Sequence, residues 1–242
     1  MIHLNAGLGP PISYPTYFID YNNQENLKWN WRYRIKVSED HLRNTHSIFI
    51  HIPKTGGTSI NKRYKYGTNP YITCLGHCFA NVYPKWCREK MYTIVRNPYS
   101  RLVSSYKFMK RGGFHNNPEY KILIEKFPTF EEWILNGISK IKEVYDHTNI
   151  VTELLIPQFC FIYDCSKIKK LLIPENHILR FENYTKDIET HFKISKFDQM
   201  WINITQKDKD EWKRYYRDKE VQDKVYRLYI KDFKIFGYSY DI

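Results

Sequence analysis

A lysine, two adjacent glycines and three hydroxyl side chains fall within residues 53–59, Pro53-Lys54-Thr55-Gly56-Gly57-Thr58-Ser59. They follow directly on Ser47-Ile-Phe-Ile-His-Ile52, a β-branched and aromatic run of strand length. Two glycines in succession let the backbone curl until neighbouring N–H groups point into one concavity. A helix starting there, from about Ser59, adds the positive end of its dipole, so the segment predicts an anion site suited to phosphate. Thr55, Thr58 and Ser59 supply hydroxyl donors, and Lys54 supplies a mobile positive charge. The nucleoside-triphosphate loop GxxxxGK[ST] carries its lysine at the far end. Here the lysine precedes the glycines, which leaves a P-loop-like nucleotide kinase as an alternative and points elsewhere for the leading reading.

His51-Ile-Pro-Lys-Thr-Gly-Gly-Thr-Ser59 resembles the 5′-phosphosulfate loop of carbohydrate sulfotransferases that use 3′-phosphoadenosine 5′-phosphosulfate (PAPS), the group around heparan sulfate 2-O-sulfotransferase. That family's second signature is a strand ending in arginine with a serine eight residues on, gripping the 3′-phosphate. Val95-Arg96-Asn-Pro-Tyr-Ser-Arg-Leu-Val-Ser104 resembles it, so the resemblance implies Arg96 and Ser104 in that role. An arginine and a serine flanking a helix start suit a phosphate chemically. Arg101 would be a third contact or a solvated helix residue. Gly76-His77 matches the position of the family's histidine base, and a near-neutral imidazole suits that work. His51 is a rival base, and Glu182 a base in a variant mechanism. The resemblance further implies Lys54 against the bridging oxygen and Thr55, Gly56, Gly57, Thr58 and Ser59 around the 5′-phosphate. A late loop closing over the nucleotide would be Trp201-Ile-Asn-Ile-Thr205, with Asn203 and Thr205 as contacts. Leu155-Ile-Pro-Gln-Phe159, Ile178-Leu-Arg-Phe-Glu182 and the ending Val225 to Tyr238 extend the likeness over residues 47–238.

Several elements must position these groups. Met91-Tyr-Thr-Ile-Val95 reads as a second strand, and Asn97 as the N-cap of a helix with Pro98 in its first turn. That helix sets Leu102, Val103, Tyr106 and Met109 along one face. Thr129-Phe-Glu-Glu132 is a capping box opening a short helix, Asn176–Phe181 a buried strand, and Asp187–Phe192 part of the next helix. The last forty residues read as helical, carrying Trp212, Tyr215, Tyr216, Val221, Val225, Leu228 and Tyr229. Strand-then-helix units predict an α/β fold, a P-loop-like three-layer sandwich whose central, mostly parallel sheet is flanked by helices. Residues 1–45 are expected to be an irregular lead-in packing on the body, and 46–242 the sulfotransferase domain.

The 242 residues are 42% hydrophobic and 17% aromatic, which excludes a largely disordered chain. Lys and Arg number 38 against 26 Asp and Glu, a formal +12 that favours polyanionic partners. The charge suits an acidic or other glycan as hydroxyl acceptor. It also admits a non-catalytic basic nucleic-acid-binding domain, which would leave the two phosphate motifs without a purpose. No run approaches the ~18 apolar residues of a membrane span. The first residues lack the basic and apolar regions of a signal peptide. A cytoplasmic protein is therefore expected, or a Golgi-lumenal one if the chain is trimmed from a longer protein. No metal is expected: Cys74, His77 and Cys78 have no second ligand pair at zinc spacing. Pairing of Cys160 with Cys165 would need an oxidising compartment, and Asn183-Tyr-Thr and Asn203-Ile-Thr would be glycosylation acceptors only in a secreted chain.

Overall fold

The computed structural model describes residues 39–64, 71–74, 76–113, 118–138, 153–164, 170–192 and 210–242. Most of the expected lead-in, Cys165, Asn203 and Thr205 lie outside them. In chain order the elements are α1 (Glu39–Asn44), β1 (Ser47–Ile50), α2 (Gly57–Tyr64), β2 (Ile72–Thr73), β3 (Met91–Val95), α3 (Pro98–Lys110) and α4 (Pro118–Lys126). Then come α5 (Phe130–Glu132), α6 (Phe159–Ile162), β4 (Tyr163–Asp164), β5 (Lys170–Leu171), β6 (Ile178–Arg180), α7 (Tyr184–Phe192), α8 (Lys219–Leu228) and α9 (Ile230–Phe236). The chain divides into two compact units. The first holds the described residues up to Arg96 and those between Gln158 and Phe192; the second holds those between Asn97 and Pro157 and from Asp210 onward.

The first unit is built on a parallel sheet of order β2-β1-β3-β6. Ile48 lies opposite Met91 and Phe49 opposite Tyr92, and on the other side of β3 Ile94 lies opposite Leu179. Strands buried on both faces read as continuous apolar runs, and every residue of β1 is buried. Phe49, Ile94 and Leu179 on one face pack against Ile60 of α2 and Tyr184, Ile188 and Phe192 of α7. This is the helix-flanked parallel sheet that the strand–helix alternation predicts. Three boundaries differ from the sequence reading. β6 keeps only Ile178–Arg180 of the expected Asn176–Phe181, with Leu179 its one buried residue, because Asn176-His177 and Phe181 fall in flanking 3-10 turns. β1 stops at Ile50, because the carbonyl of His51 accepts a hydrogen bond from the His77 ring instead of continuing the ladder. α2 begins at Gly57, two residues ahead of expectation. α1, a short helix where irregular chain was expected, is tied down by Lys90, whose ammonium donates to the carbonyls of Leu42, Arg43 and Thr45. β2 is an added strand that the sequence reading missed; two residues are too few for a periodic signal.

The second unit is organised by α3. The Asn97 side chain accepts from the N–H groups of Tyr99 and Ser100, with Pro98 at the first helical position, as its sequence predicts. Leu102, Val103, Tyr106 and Met109 are buried against Trp133, Tyr216, Val221, Val225 and Phe233. The capping box is formed: the Thr129 hydroxyl accepts from the Glu132 N–H while the Glu132 carboxylate accepts from the Thr129 N–H. α5 then passes into a π-helical turn at Trp133–Gly137. Near the C-terminus the single helical stretch is broken into a 3-10 turn (Glu211–Tyr216), α8 and α9, the last closed by left-handed Gly237. Among the described residues no helix is long and apolar enough to cross a membrane.

Candidate active site

The loop between β1 and α2 turns on two residues of positive φ, Gly56 at 90° and Lys54 at 68°. Gly56 can adopt that conformation without cost. Lys54 cannot: the left-handed region costs a side chain with a Cβ about 1–2 kcal/mol. Arg96 Nη1 helps to hold it there, donating to the Lys54 carbonyl at 3.2 Å across a separation of 42 residues. Gly57 serves a different purpose from the one the paired glycines suggest. Its φ is not positive; instead a Cβ there would lie 2.1 Å from Cδ2 and 2.5 Å from Nε2 of His51, and 2.7 Å from Cε1 of Phe49. The second glycine admits the histidine ring beneath the first turn of α2.

The three hydroxyls diverge. Thr55 is fully buried and its Oγ1 donates to the Ile52 carbonyl at 2.9 Å, bracing the loop from within. Ser59 is buried, its side chain hydrogen-bonded to Tyr184 and its N–H turned back to the Gly56 carbonyl at 3.2 Å. Thr58 is half-buried, as are Lys54 and Gly56, so these three form the outward side of the loop.

Two histidines meet beside it, their ring centroids 4.0 Å apart. A carbonyl can only accept, so the 2.8 Å contact between His77 Nδ1 and the His51 carbonyl places the proton on Nδ1. The neutral His77 ring therefore carries its lone pair on Nε2. His51 is buried, with its Nδ1 accepting from the Asn61 amide at 2.9 Å. Burial foremost, then the electrostatic influence of the His77 ring and the positive charge of Lys54, holds its pKa well below 6.5, so it stays neutral. Burial pushes the Cys74 thiol up to about 12, which removes it as a nucleophile near neutral pH.

Arg96 follows the last residue of β3. Its backbone is clamped by the buried Gln158, whose Oε1 accepts from the Arg96 N–H and whose Nε2 donates to the Arg96 carbonyl, both at 2.8 Å. Its guanidinium lies 4.1 Å from the Phe181 ring centre. The structure thus brings Lys54, Thr55, Gly56, Gly57, Thr58, Ser59, His77 and Arg96 together in one unit. Ser104 lies buried on α3 of the other unit. Arg101 is neither a phosphate contact nor solvated: it is wholly buried, and Nη2 donates to the Leu154 and Ile156 carbonyls. Glu182 is exposed on a 3-10 turn. Gln158, Asn61 and Tyr184 were missed as site residues. Gln158 sits in the Leu155–Phe159 segment of the resemblance, and Asn183-Tyr-Thr drew notice only as a glycosylation pattern. No cluster of three His, Cys, Asp or Glu side chains is placed to hold a metal among the described residues.

Residues 36–239 match the protein-family model described as the sulfotransferase family. The chain belongs to the sulfotransferase family. No curated protein matches it, and no solved structure does. Membership brings sulfuryl transfer to a hydroxyl acceptor as the general chemistry, and it favours neither the nucleotide-kinase nor the nucleic-acid-binding alternative. In this sulfotransferase-family chain the matched region covers both the Lys54–Ser59 loop and the Val95–Ser104 segment and begins ahead of α1.

Proposed function

We propose that this chain transfers a sulfuryl group from PAPS to a hydroxyl of a glycan, an acidic one being favoured by the formal charge of +12. The acceptor oxygen forms a bond to sulfur as the bond from sulfur to the bridging phosphate oxygen breaks, and adenosine 3′,5′-bisphosphate departs. Lys54 stabilises the charge that develops on the bridging oxygen, and His77 Nε2 takes the proton of the acceptor hydroxyl. Thr58 and the N–H groups of Gly56 and Gly57 receive the 5′-phosphate, while Thr55 and Ser59 shape the loop from inside. Arg96 receives the 3′-phosphate, and the sequence resemblance assigns Ser104 to the same group. Asn203 and Thr205 keep their assignment to the nucleotide from that resemblance alone.

One observation carries the reading: the Arg96 guanidinium donates to the carbonyl of Lys54, joining the two phosphate motifs. A nucleotide phosphorylated at both the 5′ and 3′ positions suits that junction, since each motif supplies donors for one anion. The test is thermal melting with adenosine 3′,5′-bisphosphate against ADP and magnesium-ATP. At a hundredfold excess over Kd, ligand binding adds about 2.7 kcal/mol, which raises the melting temperature by roughly 5–10 °C. The shift is expected with the bisphosphate and should vanish in Arg96→Ala. A larger shift with magnesium-ATP would reject the proposal.

A further inference from the structure

We infer that Tyr184 is a positioning residue of the anion loop, its hydroxyl holding the Gly56–Gly57 peptide with the N–H turned toward the 5′-phosphate, an assignment that rests on the PAPS reading above. Tyr184 opens α7, 128 residues along the chain from Gly56. Its Oη donates to the Gly56 carbonyl at 3.1 Å, and the Ser59 N–H donates to the same oxygen at 3.2 Å. A carbonyl has two lone pairs, and both are thereby engaged. The peptide is planar and trans, so the Gly57 N–H points opposite to the Gly56 carbonyl. Pinning the oxygen on the Tyr184 side aims the N–H away from it.

The pin matters because this peptide joins two glycines. Gly56 already sits at φ 90°, and glycine populates several backbone regions with little penalty. Reversal of the peptide would present an oxygen, in place of a donor, to an incoming anion. The Tyr184 ring blocks the space beside Gly56, where a Cβ would lie 2.6 Å from Cε2, and the Ser59 side chain hydrogen-bonds the hydroxyl in turn. Burial pushes the Tyr184 pKa up to about 12, so the group remains a donor over the working pH range.

Tyr184→Phe keeps the ring and deletes the donor. Two probes separate orientation of this peptide from general support of the fold. They are adenosine 3′,5′-bisphosphate, which has a 5′-phosphate, and adenosine 3′-monophosphate, which lacks one. By calorimetric titration, the variant is expected to bind the bisphosphate about tenfold more weakly, the scale of one hydrogen bond to a charged group. Its affinity for the 3′-monophosphate should stay within about twofold of the unsubstituted protein on the same scale. Equal weakening of both probes would assign Tyr184 a structural role only, and unchanged bisphosphate binding would remove the pin; either overturns the inference. Failure of the unsubstituted protein to bind the bisphosphate would defeat the PAPS reading itself, and this inference with it. If Tyr184→Phe does not fold, Tyr184→Met, which also lacks a donor, takes its place under the same criteria.

Discussion

Gly57→Ala tests whether His51 lies under the loop. The new methyl carbon would stand 2.1 Å from Cδ2 of His51 and 2.7 Å from Cε1 of Phe49, against an ordinary carbon–carbon separation of about 3.5–4.0 Å. Neither ring can retreat easily: Phe49 is fully buried in the sheet and His51 is held by the Asn61 amide. Helix propensity alone would favour alanine by about 1 kcal/mol at most, whereas overpacking costs about 1–3 kcal/mol and more when the neighbours are rigid. The displacement required exceeds an ångström, so the steric cost should prevail, leaving a net loss of about 2 kcal/mol. For a chain of this size that lowers the melting temperature by roughly 4–8 °C. Thermal and urea unfolding of Gly57→Ala, His51→Ala and the double variant would measure it. In the double variant the methyl occupies the space of the missing imidazole, so the combined cost should fall short of the sum by about 1 kcal/mol or more. Additive costs, or a Gly57→Ala protein as stable as its parent, would refute the packing of His51 beneath α2.

Four further outcomes are expected. Lys54→Gly relieves the positive φ and should be about 1 kcal/mol more stable than Lys54→Ala in unfolding assays, while both lose about 100- to 1,000-fold in transfer rate; equal stability would contradict the strained backbone. Gln158→Leu strands the buried N–H and carbonyl of Arg96 and should cost about 2–4 kcal/mol by denaturant titration; a loss below 1 kcal/mol would reject the clamp. The folded pKa of His51 is depressed below 6.5, so the unfolded chain takes up a proton that the folded one refuses as pH drops beneath that value. Stability is therefore unaffected above it and falls below it by up to about 1.4 kcal/mol per pH unit, and an undiminished slope in His51→Gln would exclude a buried neutral imidazole. His77→Ala should slow sulfuryl transfer by about 100- to 10,000-fold with bisphosphate affinity unchanged, as titration and single-turnover kinetics would show; loss of affinity instead would make it a nucleotide ligand.

The sequence by itself determined the elements whose causes are local. β3 and its exit into α3 were legible because an apolar run, a capping asparagine and a first-turn proline lie next to one another. The glycine loop, the Thr129 capping box and membership of the α/β class follow from neighbours in the same way, whereas the sulfotransferase reading came from the resemblance of two motifs to a known family. The choice of partners was decided only in three dimensions. Three loop hydroxyls look alike in the sequence, yet Thr55 and Ser59 turn inward and Thr58 does not. Paired glycines suggest one shared reason, yet Gly56 satisfies a backbone angle and Gly57 makes room for a ring. Arg101 offers a surface-seeking guanidinium, yet it ties down the Leu154 and Ile156 carbonyls inside the second unit. Gln158 and Tyr184 reach their partners across 62 and 128 residues, and His77 finds the His51 carbonyl across 26. Propensity, capping and hydrophobic period act over a few residues and leave a trace in the local pattern. A hydrogen bond to a buried carbonyl depends on which strand ends beside which helix, so its direction appears only once the sheet has assembled.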